Sequence, residues 1–278
     1  MRILLLSAGR GIGTSPAMSA DTPFDRHLRR LRRDRAAPLF AGADYLHRLA
    51  GEEMLGRLED VKRDFTDALV LGADPQLVAA LRAQGLAVTA ADPGFRFANT
   101  AGGVQCDEDR LAVADASFDL VISTGLLDTV NDLPGALVLI RRALRPGGLF
   151  LGAFAGAGSL PRLKAAMLAG DAVMGGAVPR IHPQIDVRAA GDLLARAGFV
   201  LPVADVGGVD VRYPGLAALV ADLRAMGGTN LLPAGAQRPV TRADYAAANA
   251  AFAAHADADG KTAERFEIVY LSAWSRDA

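Results

Sequence analysis

Short apolar runs alternate with stretches of helical periodicity through the middle of the chain. Residues 68–72 and 86–91 predict two buried strands, and residues 75–84 between them predict a helix. The alternation continues with a strand at 118–124, a helix at 133–144 and a strand at 149–154. Strands that alternate with helices of this length predict an α/β fold with a mostly parallel, doubly wound sheet and helices on both faces.

The last third of the chain departs from this simple alternation. Helices are predicted at 160–168, 187–197, 213–226 and 243–254, and strands at 200–206 and 265–274. Because the final strand follows a helical insert, we expect it to lie antiparallel at one side of the sheet.

Two helices are predicted ahead of the first strand. Residues 24–35 place apolar positions at helical spacing within a strongly basic segment, and Asp44 can cap a second helix over residues 45–58. The arginines of residues 29–35 admit three interpretations. In decreasing order of weight these are a solvated helix face, a docking surface for an acidic partner, and an RNA-binding patch.

The chain begins with a pattern that resembles a nucleotide-binding turn. An apolar run at residues 3–6 precedes a glycine-rich turn at residues 9–13, but Pro16 stands where the required helix would run. We therefore reject the turn as a binding motif. Residues 1–20 are predicted to be a disordered leader, with Met18 as a candidate start.

The composition fits one large domain. The chain has 278 residues, 51% of them hydrophobic, and a net charge of -1. We predict a single domain over 21–278, made of a helical arm (21–60), a cofactor half (66–154) and a substrate or partner half (155–278).

Charge and cysteine usage restrict the classes of partner and location. The net charge of -1 gives no general attraction to nucleic acid, so a nucleic acid partner is not expected. Cys106 is the single cysteine, which excludes an internal disulfide and suits a reducing compartment. No apolar run reaches the roughly 18 residues of a membrane span, so we expect a soluble, cytoplasmic protein.

Acidic residues follow the predicted strands in the order that a nucleoside-binding fold requires. Gly72 ends the first strand, and Asp92, about 20 residues further on, ends the second, where such folds hold ribose hydroxyls. Asp107 and Glu108 precede a strand entered through Asp119, and Asp107 is placed to accept from an adenine amino group. This order favours S-adenosylmethionine (SAM) over a dinucleotide. The predicted cofactor-binding residues are Gly72, Ala73, Asp92, Pro93, Asp107, Glu108, Ser123 and Thr124.

Several motifs resemble those of class I SAM-dependent methyltransferases, and more narrowly those of the complex I assembly factor 5 family, which is related to malonyl-carrier-protein O-methyltransferases. The general motifs are Phe118-Asp119-Leu120-Val121 and Arg145-Pro146-Gly147-Gly148. The more specific ones are Phe24-Asp25-Arg26, Asn131-Asp132-Leu133-Pro134 and Tyr213-Pro214-Gly215. The resemblance covers nearly all of residues 24–274. It implies a seven-stranded methyltransferase sheet with its last strand antiparallel, an N-terminal helical arm and a C-terminal helical insert.

Two segments differ from the family pattern. The family's first loop reads Asp-Leu-Gly-Cys-Gly-x-Gly, whereas here Val70 replaces the aspartate and Asp74-Pro75-Gln76 replaces the later glycines. Glycines allow the backbone to approach the cofactor, and Asp74 would add a negative charge near the cofactor carboxylate, so SAM binding is predicted to be weak or lost. The second departure is Leu127-Asp128-Thr129, where the family has a His-Trp pair.

Few other side chains indicate chemistry. His182 is a candidate general base, although a lone histidine beside a proline more often has a surface or packing role. Tyr45 and Tyr213 could line a substrate pocket, with core packing as the weightier alternative. No metal-ligand spacing is found, so no metal site is predicted, and no catalytic residue is assigned.

The sequence thus supports two functions. The first is a SAM-dependent methyltransferase-like protein that acts on a protein or small-molecule substrate. The alternative, implied by the resemblance, is a catalytically degenerate or modified, arginine-hydroxylase-type factor in respiratory complex I assembly. In that case the basic arm at residues 29–35 and the helical insert would bind a complex I subunit.

Overall fold

A computed structural model describes residues 22–173, 175–233 and 238–277 as a seven-stranded sheet with helices on both faces. The strands are β1 (Asp67–Leu71), β2 (Ala87–Asp92), β3 (Val104–Gln105), β4 (Phe118–Thr124), β5 (Leu144–Ala155), β6 (Val200–Tyr213) and β7 (Thr262–Trp274). The helices are α1 (Arg26–Ala36), α2 (Tyr45–Asp60), α3 (Pro75–Ala83), α4 (Phe95–Thr100), α5 (Leu133–Ala143), α6 (Pro161–Ala172), α7 (Val187–Arg196), α8 (Leu216–Met226) and α9 (Arg242–Ala253).

The strand order is β3-β2-β1-β4-β5-β7-β6. Strand β1 pairs in parallel with both β2 and β4, and β4 pairs in parallel with β5. Strand β7 inserts between β5 and β6 and is antiparallel to each of them. The predicted doubly wound sheet with an antiparallel last strand is confirmed.

Each face of the sheet carries its own apolar core. On one face, Leu137 and Ile140 of α5 and Leu194 of α7 pack on Phe150. On the other face, helices α2 and α3 contribute Met54 and Leu81, which pack on Val70, Leu120 and Ile122. These side chains are almost fully buried, and at roughly 25 cal/mol per Å² their burial is the main stabilising contribution to the sheet.

The helical insert has a third core of its own. Leu163 of α6, Leu219 of α8 and Phe252 of α9 pack together against Phe266 at the start of β7. Tyr213 joins this core and hydrogen bonds to Tyr45 across a distance of 2.5 Å between hydroxyl oxygens. Both tyrosines therefore tie α2 to the insert, which agrees with the core-packing interpretation.

The structure corrects several predicted boundaries. Strand β6 extends to Tyr213, whereas the apolar pattern predicted an end at residue 206. Strand β6 is an edge strand with alternate positions exposed. Its pairing with β7 continues across Gly207 and Gly208 as far as Tyr213, which keeps this segment extended. The short elements α4 and β3 were not predicted, because six and two residues are too few to show a periodicity.

Other predictions fall differently. The structure begins β5 at Leu144, whereas the pattern predicted a strand from residue 149, and Gly147 within β5 has a φ of 70°. Asp44 stands at the N-cap of α2, yet its side chain makes no capping bond and accepts from Gln76 Nε2 at 2.6 Å. The predicted leader at 1–20 and its glycine turn lie outside the described residues. Within the described ranges, no helix is both long and apolar enough to cross a membrane.

Asp119 explains why β4 is entered through an acidic residue. Its carboxylate accepts from Thr66 N and Thr66 Oγ1, both at 2.9 Å, and from Asp67 N at 3.0 Å. These bonds satisfy backbone donors at the start of β1 and fix the register of β1 beside β4.

We therefore expect Asp119→Ala to lower the free energy of unfolding by about 2 kcal/mol, since it leaves backbone donors without their acceptor. Urea unfolding followed by circular dichroism measures the change. The matched control is Asp115→Ala, because Asp115 is 61% exposed and pairs only with the exposed Arg142. The control should stay within about 0.5 kcal/mol of the parent protein. Equal losses in the two variants would contradict a register role for Asp119.

Candidate functional site

The predicted cofactor residues gather at the carboxyl edge of the parallel strands. Asp92 is the last residue of β2, Asp107 and Glu108 follow β3, and Ser123 and Thr124 end β4. This edge is where ligands bind in open α/β sheets. The structure thus brings these residues together, and their cofactor role stays a prediction.

The loop after β1 passes very close to the end of β4. Gly72 has a φ of 103°, and a Cβ there would lie 2.4 Å from Thr124 O, so a residue with a side chain would clash. Ala73 follows with a φ of 23° and is fully buried. Pro93, after β2, accepts from Gln105 Nε2 through its carbonyl at 2.8 Å. Close packing against β4 therefore requires a glycine at position 72, whether or not a cofactor binds.

Asp74 serves as the N-cap of α3. Its Oδ1 accepts from Gln76 N at 2.8 Å and from Leu77 N at 3.3 Å. Burial raises the pKa of Asp74, while these two backbone bonds act in the opposite direction. The carboxylate of Asp74 therefore lies at the amino terminus of α3, where the free backbone N–H groups of a helix would otherwise bind an anion.

One face of α1 presents arginines to the cofactor edge. The arginine face consists of residues at i, i+3, i+4 and i+7, namely Arg26, Arg29, Arg30 and Arg33. Opposite it lie four carboxylates, the acid cluster Asp92, Asp107, Glu108 and Asp109. Each arginine of the face pairs with a member of the acid cluster.

The most deeply buried pair joins Arg33 to Asp92. Arg33 Nη2 lies 2.5 Å from Asp92 Oδ2, and the two side chains are only 5% and 0% exposed. Gly94 N donates to Asp92 Oδ1 at 2.7 Å, and Arg33 Nε lies 3.3 Å from the same oxygen. The guanidinium also lies over the ring of Phe97, 3.9 Å from its centroid. The carboxylate predicted to bind ribose hydroxyls therefore already has three donors.

The remaining pairs follow along the helix. Arg29 Nη1 donates to Glu108 Oε2 at 2.7 Å, and Arg30 donates to Asp107 Oδ2. Arg26 forms a two-bond pair with Asp109, each bond 2.5 Å long. Burial is the largest single influence on Asp109 and opposes its ionisation. The hydrogen bonds and charge of Arg26, with the Asp132 N–H and the charge of Arg29, together outweigh burial and lower the pKa of Asp109. Burial raises the pKa of Glu108, and Arg29 opposes that shift.

The interpretation of residues 29–35 as a solvated face is wrong for Arg29 and Arg33, and these two side chains are not available as an exposed partner surface. Arg29 and Arg33 are each 4% exposed, because their partners are carboxylates inside the same molecule. The sequence did contain a signal that reasoning from net charge missed. Four arginines share one helix face, and four acids lie at the ends of neighbouring strands.

Backbone contacts hold α1 in this position. Asn131 accepts from Phe24 N at 2.8 Å and donates to Phe24 O at 3.0 Å. Asp25 caps α1 by accepting from Leu28 N at 2.9 Å. The motifs around Phe24 and Asn131, over 100 positions apart in the chain, thus meet at the start of the helix.

A cavity of about 270 Å³ lies beside the arginine face, at the carboxyl ends of β4 and β5. Its walls come from α1, α2, α6, α8 and the start of β7 and are largely apolar. The polar side chains that matter for its chemistry are Arg29, Arg33, His47, Asp128, Arg180, His182 and Glu267. Tyr45 and Tyr213 are not among the residues that line it.

His182 lines this cavity and does not lie in a surface linker. Its Nε2 lies 3.7 Å from Asp128 Oδ2, and its side chain is 10% exposed. The ring packs edge-on against Phe24, with 5.6 Å between centroids. Within the described residues, no group of three or more His, Cys, Asp or Glu side chains is arranged to hold a metal ion.

His47 is a cavity residue that sequence reasoning missed. Its ring packs on Phe40 at 4.8 Å, and its buried Nδ1 has no hydrogen-bond partner. Burial lowers the pKa of His47 to about 3, and the positive charge of Arg33 adds to the shift. The imidazole is therefore neutral at physiological pH. No local motif marks it, since a histidine in an amphipathic helix has no distinctive spacing.

The Arg33–Asp92 pair gives a stability prediction. Arg33→Gln should cost about 3–5 kcal/mol in the free energy of unfolding, because it leaves the buried Asp92 carboxylate without its cation. The double variant Arg33→Leu/Asp92→Leu should recover most of that loss, since no charge then stays buried. Denaturant unfolding of the single and double variants tests this. A double variant that is less stable than the single one would contradict the prediction.

His47 gives a pH prediction. The pKa of His47 is depressed in the folded state, so below the unfolded value of about 6.5 only the unfolded chain takes up the proton. Folding stability should therefore fall as pH decreases. Relative to His47→Gln, the parent protein should lose about 2 kcal/mol between pH 7 and pH 5. Urea unfolding at each pH gives the difference, and parallel curves for the two proteins would show that His47 is protonated in the fold.

Known proteins with this architecture were then compared with the chain. A family model described as "Methyltransferase domain" matches residues 71–152. The mitochondrial arginine-hydroxylase NDUFAF5 of Danio rerio is 32% identical over 265 residues, which cover 90% of this chain and 82% of the relative. The malonyl-[acyl-carrier protein] O-methyltransferase of Xylella fastidiosa is 37% identical over 169 residues, covering 61% of this chain and 56% of that protein.

Solved structures agree in fold. The YcgJ protein from Bacillus subtilis superposes with a TM-score of 0.55 at 14% identity, covering 84% of this chain and 100% of that one. Identity this low shows the shared fold alone, whereas the NDUFAF5 relative matches in sequence along nearly the whole chain. The chain therefore belongs to the NDUFAF5 family, within the class I SAM-dependent methyltransferase-like proteins.

Proposed function

We propose that this methyltransferase-like protein binds SAM weakly in its free state, because the arginine face of α1 occupies the carboxylates that would bind the cofactor. The observation that carries the proposal is the ion pair between Arg33 and Asp92, in which Nη2 and Nε of the guanidinium each contact one carboxylate oxygen. Both side chains are almost without solvent exposure. The nucleoside would have to compete with a guanidinium that is already in place.

The residues at the edge otherwise suit the cofactor. Gly72 lets the first loop approach β4, and Asp92 and Asp107 stand at the ends of adjacent strands, where ribose hydroxyls and an adenine amino group would bind. The buried hydroxyls of Ser123 and Thr124 have no hydrogen-bond partner among the described residues and are available as polar contacts. When bound, SAM supplies an activated methyl group, and the chain's part is to position the acceptor.

A second proposed role follows from the family. Relatives at 32% identity are named as mitochondrial arginine-hydroxylases, and the resemblance described above connects the family with complex I assembly. In this role the chain recognises a protein subunit of respiratory complex I, and weak SAM binding is no obstacle. The exposed parts of the insert, rather than Arg29 and Arg33, would provide the surface. The cytoplasmic location and the division of the domain into halves stay predictions.

Calorimetric titration with S-adenosylhomocysteine tests the weak-binding proposal. The Arg30 side chain is 42% exposed and donates to Asp107, while Arg26 and Arg29 lie 3.7 Å from the same carboxylate. Arg30→Gln therefore removes the hydrogen-bonded partner of Asp107 without leaving that buried carboxylate uncompensated. We expect this variant to bind S-adenosylhomocysteine about threefold to fivefold more tightly than the parent protein. Asp92→Ala should abolish detectable binding.

The matched control is Arg35→Gln, which removes the same charge from the same helix at an exposed position outside the arginine face. It should leave the affinity unchanged. Tight binding by the parent protein with no gain in Arg30→Gln would refute competition by α1. Binding that survives Asp92→Ala would place the cofactor elsewhere. If neither the parent nor Arg30→Gln binds at millimolar ligand, partner recognition is the function that remains.

A further inference from the structure

The cavity beside α1 contains charges of both signs, and its arginines are compensated by carboxylates outside the cavity. Arg29 and Arg33 pair with Glu108 and Asp92 of the acid cluster. Arg180, on the opposite wall, forms a 2.6 Å ion pair with the buried Asp171. The positive charges of the cavity therefore have partners and do not neutralise further anions.

Asp128 is a carboxylate of the cavity that pairs with no lysine or arginine among the described residues. It lies in the helical turn of residues 127–129 that follows β4 and is 9% exposed. Its Oδ1 is buried and has no hydrogen-bond partner, and its Oδ2 lies 3.7 Å from His182 Nε2, beyond hydrogen-bond distance. Within the described residues Asp128 accepts no hydrogen bond. A carboxylate buried in this way is costly unless a donor meets it.

Arg29 approaches this turn without neutralising Asp128. Its Nη2 donates to Leu126 O at 3.1 Å and its Nε to Thr129 Oγ1 at 3.1 Å, so it holds the residues on both sides. Its Nη1 donates to Glu108. The turn is therefore held rigid with the carboxylate of Asp128 at the cavity wall.

A second carboxylate reinforces the negative character of the cavity. Glu267 lines it, and Oε1 of Glu267 accepts from Gly158 N at 3.0 Å. Glu267 forms no ion pair with any described residue. Lys164 interacts with it electrostatically, but the Lys164 ammonium donates to Ala157 O and Gln184 Oε1.

Most of the remaining cavity wall is apolar. Phe154, Leu163, Leu223, Phe266 and Ile268 form walls that would bury an aliphatic chain. A volume of about 270 Å³ suits a small molecule or a single long side chain.

We propose that this cavity binds a primary alkylammonium group, with the ammonium at Asp128 and the alkyl chain against the apolar walls. Only one Asp128 oxygen is available, since Oδ1 is buried, and a compact ammonium needs one oxygen. A planar guanidinium binds a carboxylate more strongly than an ammonium does only when it can donate to both carboxylate oxygens at once. The site goes beyond the proposed function, because it requires neither SAM nor a protein partner.

Asp128 lies in the segment of residues 127–129, where the sequence differs from the family pattern described above. His182, on the neighbouring wall, is placed to hold the ligand's second donor or a bridging water through its Nε2.

Calorimetry on the full chain without SAM tests the site with four probes: hexylammonium, hexylguanidinium, hexanol and hexanoate. We expect hexylammonium to bind most tightly, and Asp128→Asn, which keeps the shape of the side chain, to weaken it about tenfold or more. The control Asp192→Asn alters an exposed aspartate on α7 and should leave the affinity unchanged. Melting temperatures of both variants verify that they fold.

The probe series tests the proposal even if a variant fails to fold. Hexanoate as the tightest ligand would overturn it by showing that the arginines dominate the cavity. Hexylguanidinium binding as tightly as hexylammonium would overturn the single-oxygen argument. An affinity for hexylammonium that is equal in Asp128→Asn and Asp192→Asn, or no binding at millimolar hexylammonium, would also overturn the proposal. Because SAM is absent throughout, these outcomes are independent of the S-adenosylhomocysteine titration.

Discussion

The buried ion pairs between the arginine face of α1 and the acid cluster are the contact on which the rest of the site depends. Four carboxylates at the ends of two short strands repel one another and lose hydration when a helix covers them. Only a matching set of cations makes that burial tolerable. The arginine face supplies four guanidinium groups at the helical spacing that reaches them. As a result α1 closes the cofactor edge and forms one wall of the cavity.

The altered first loop is consistent with this arrangement. Asp74 supplies an internal carboxylate to the amino terminus of α3, where a cofactor anion could otherwise bind. Gly72 is retained because the loop meets the β4 backbone, a packing demand that exists without any ligand. The family fold is thus kept, while the carboxylates predicted to bind the nucleoside are paired with arginines of the same chain. A fold preserved in this way supports partner recognition as readily as methyl transfer.

The helical insert supplies the other side of the cavity. Helices α6, α8 and α9 have a core of their own, joined to the sheet through Phe266 and Tyr213. This core holds apolar side chains such as Leu163 and Leu223 opposite the turn that contains Asp128. The cavity is therefore enclosed by elements distant in the chain, and its charge depends on which arginines already have acidic partners.

The sequence by itself determined the sheet, because strands such as β1 and β4 are apolar runs whose burial dominates any local alternative. It also determined the family, through motifs such as Phe24-Asp25-Arg26 and Asn131-Asp132, and the strand-end position of Asp92. It could not determine that Arg33 would be the partner of Asp92, because a pair 59 positions apart leaves no periodic signal. For the same reason the extension of β6 and the isolation of Asp128 were hidden. Only the tertiary structure decides which charges meet, since pairing depends on distance in space whereas burial of an apolar run depends on the run itself.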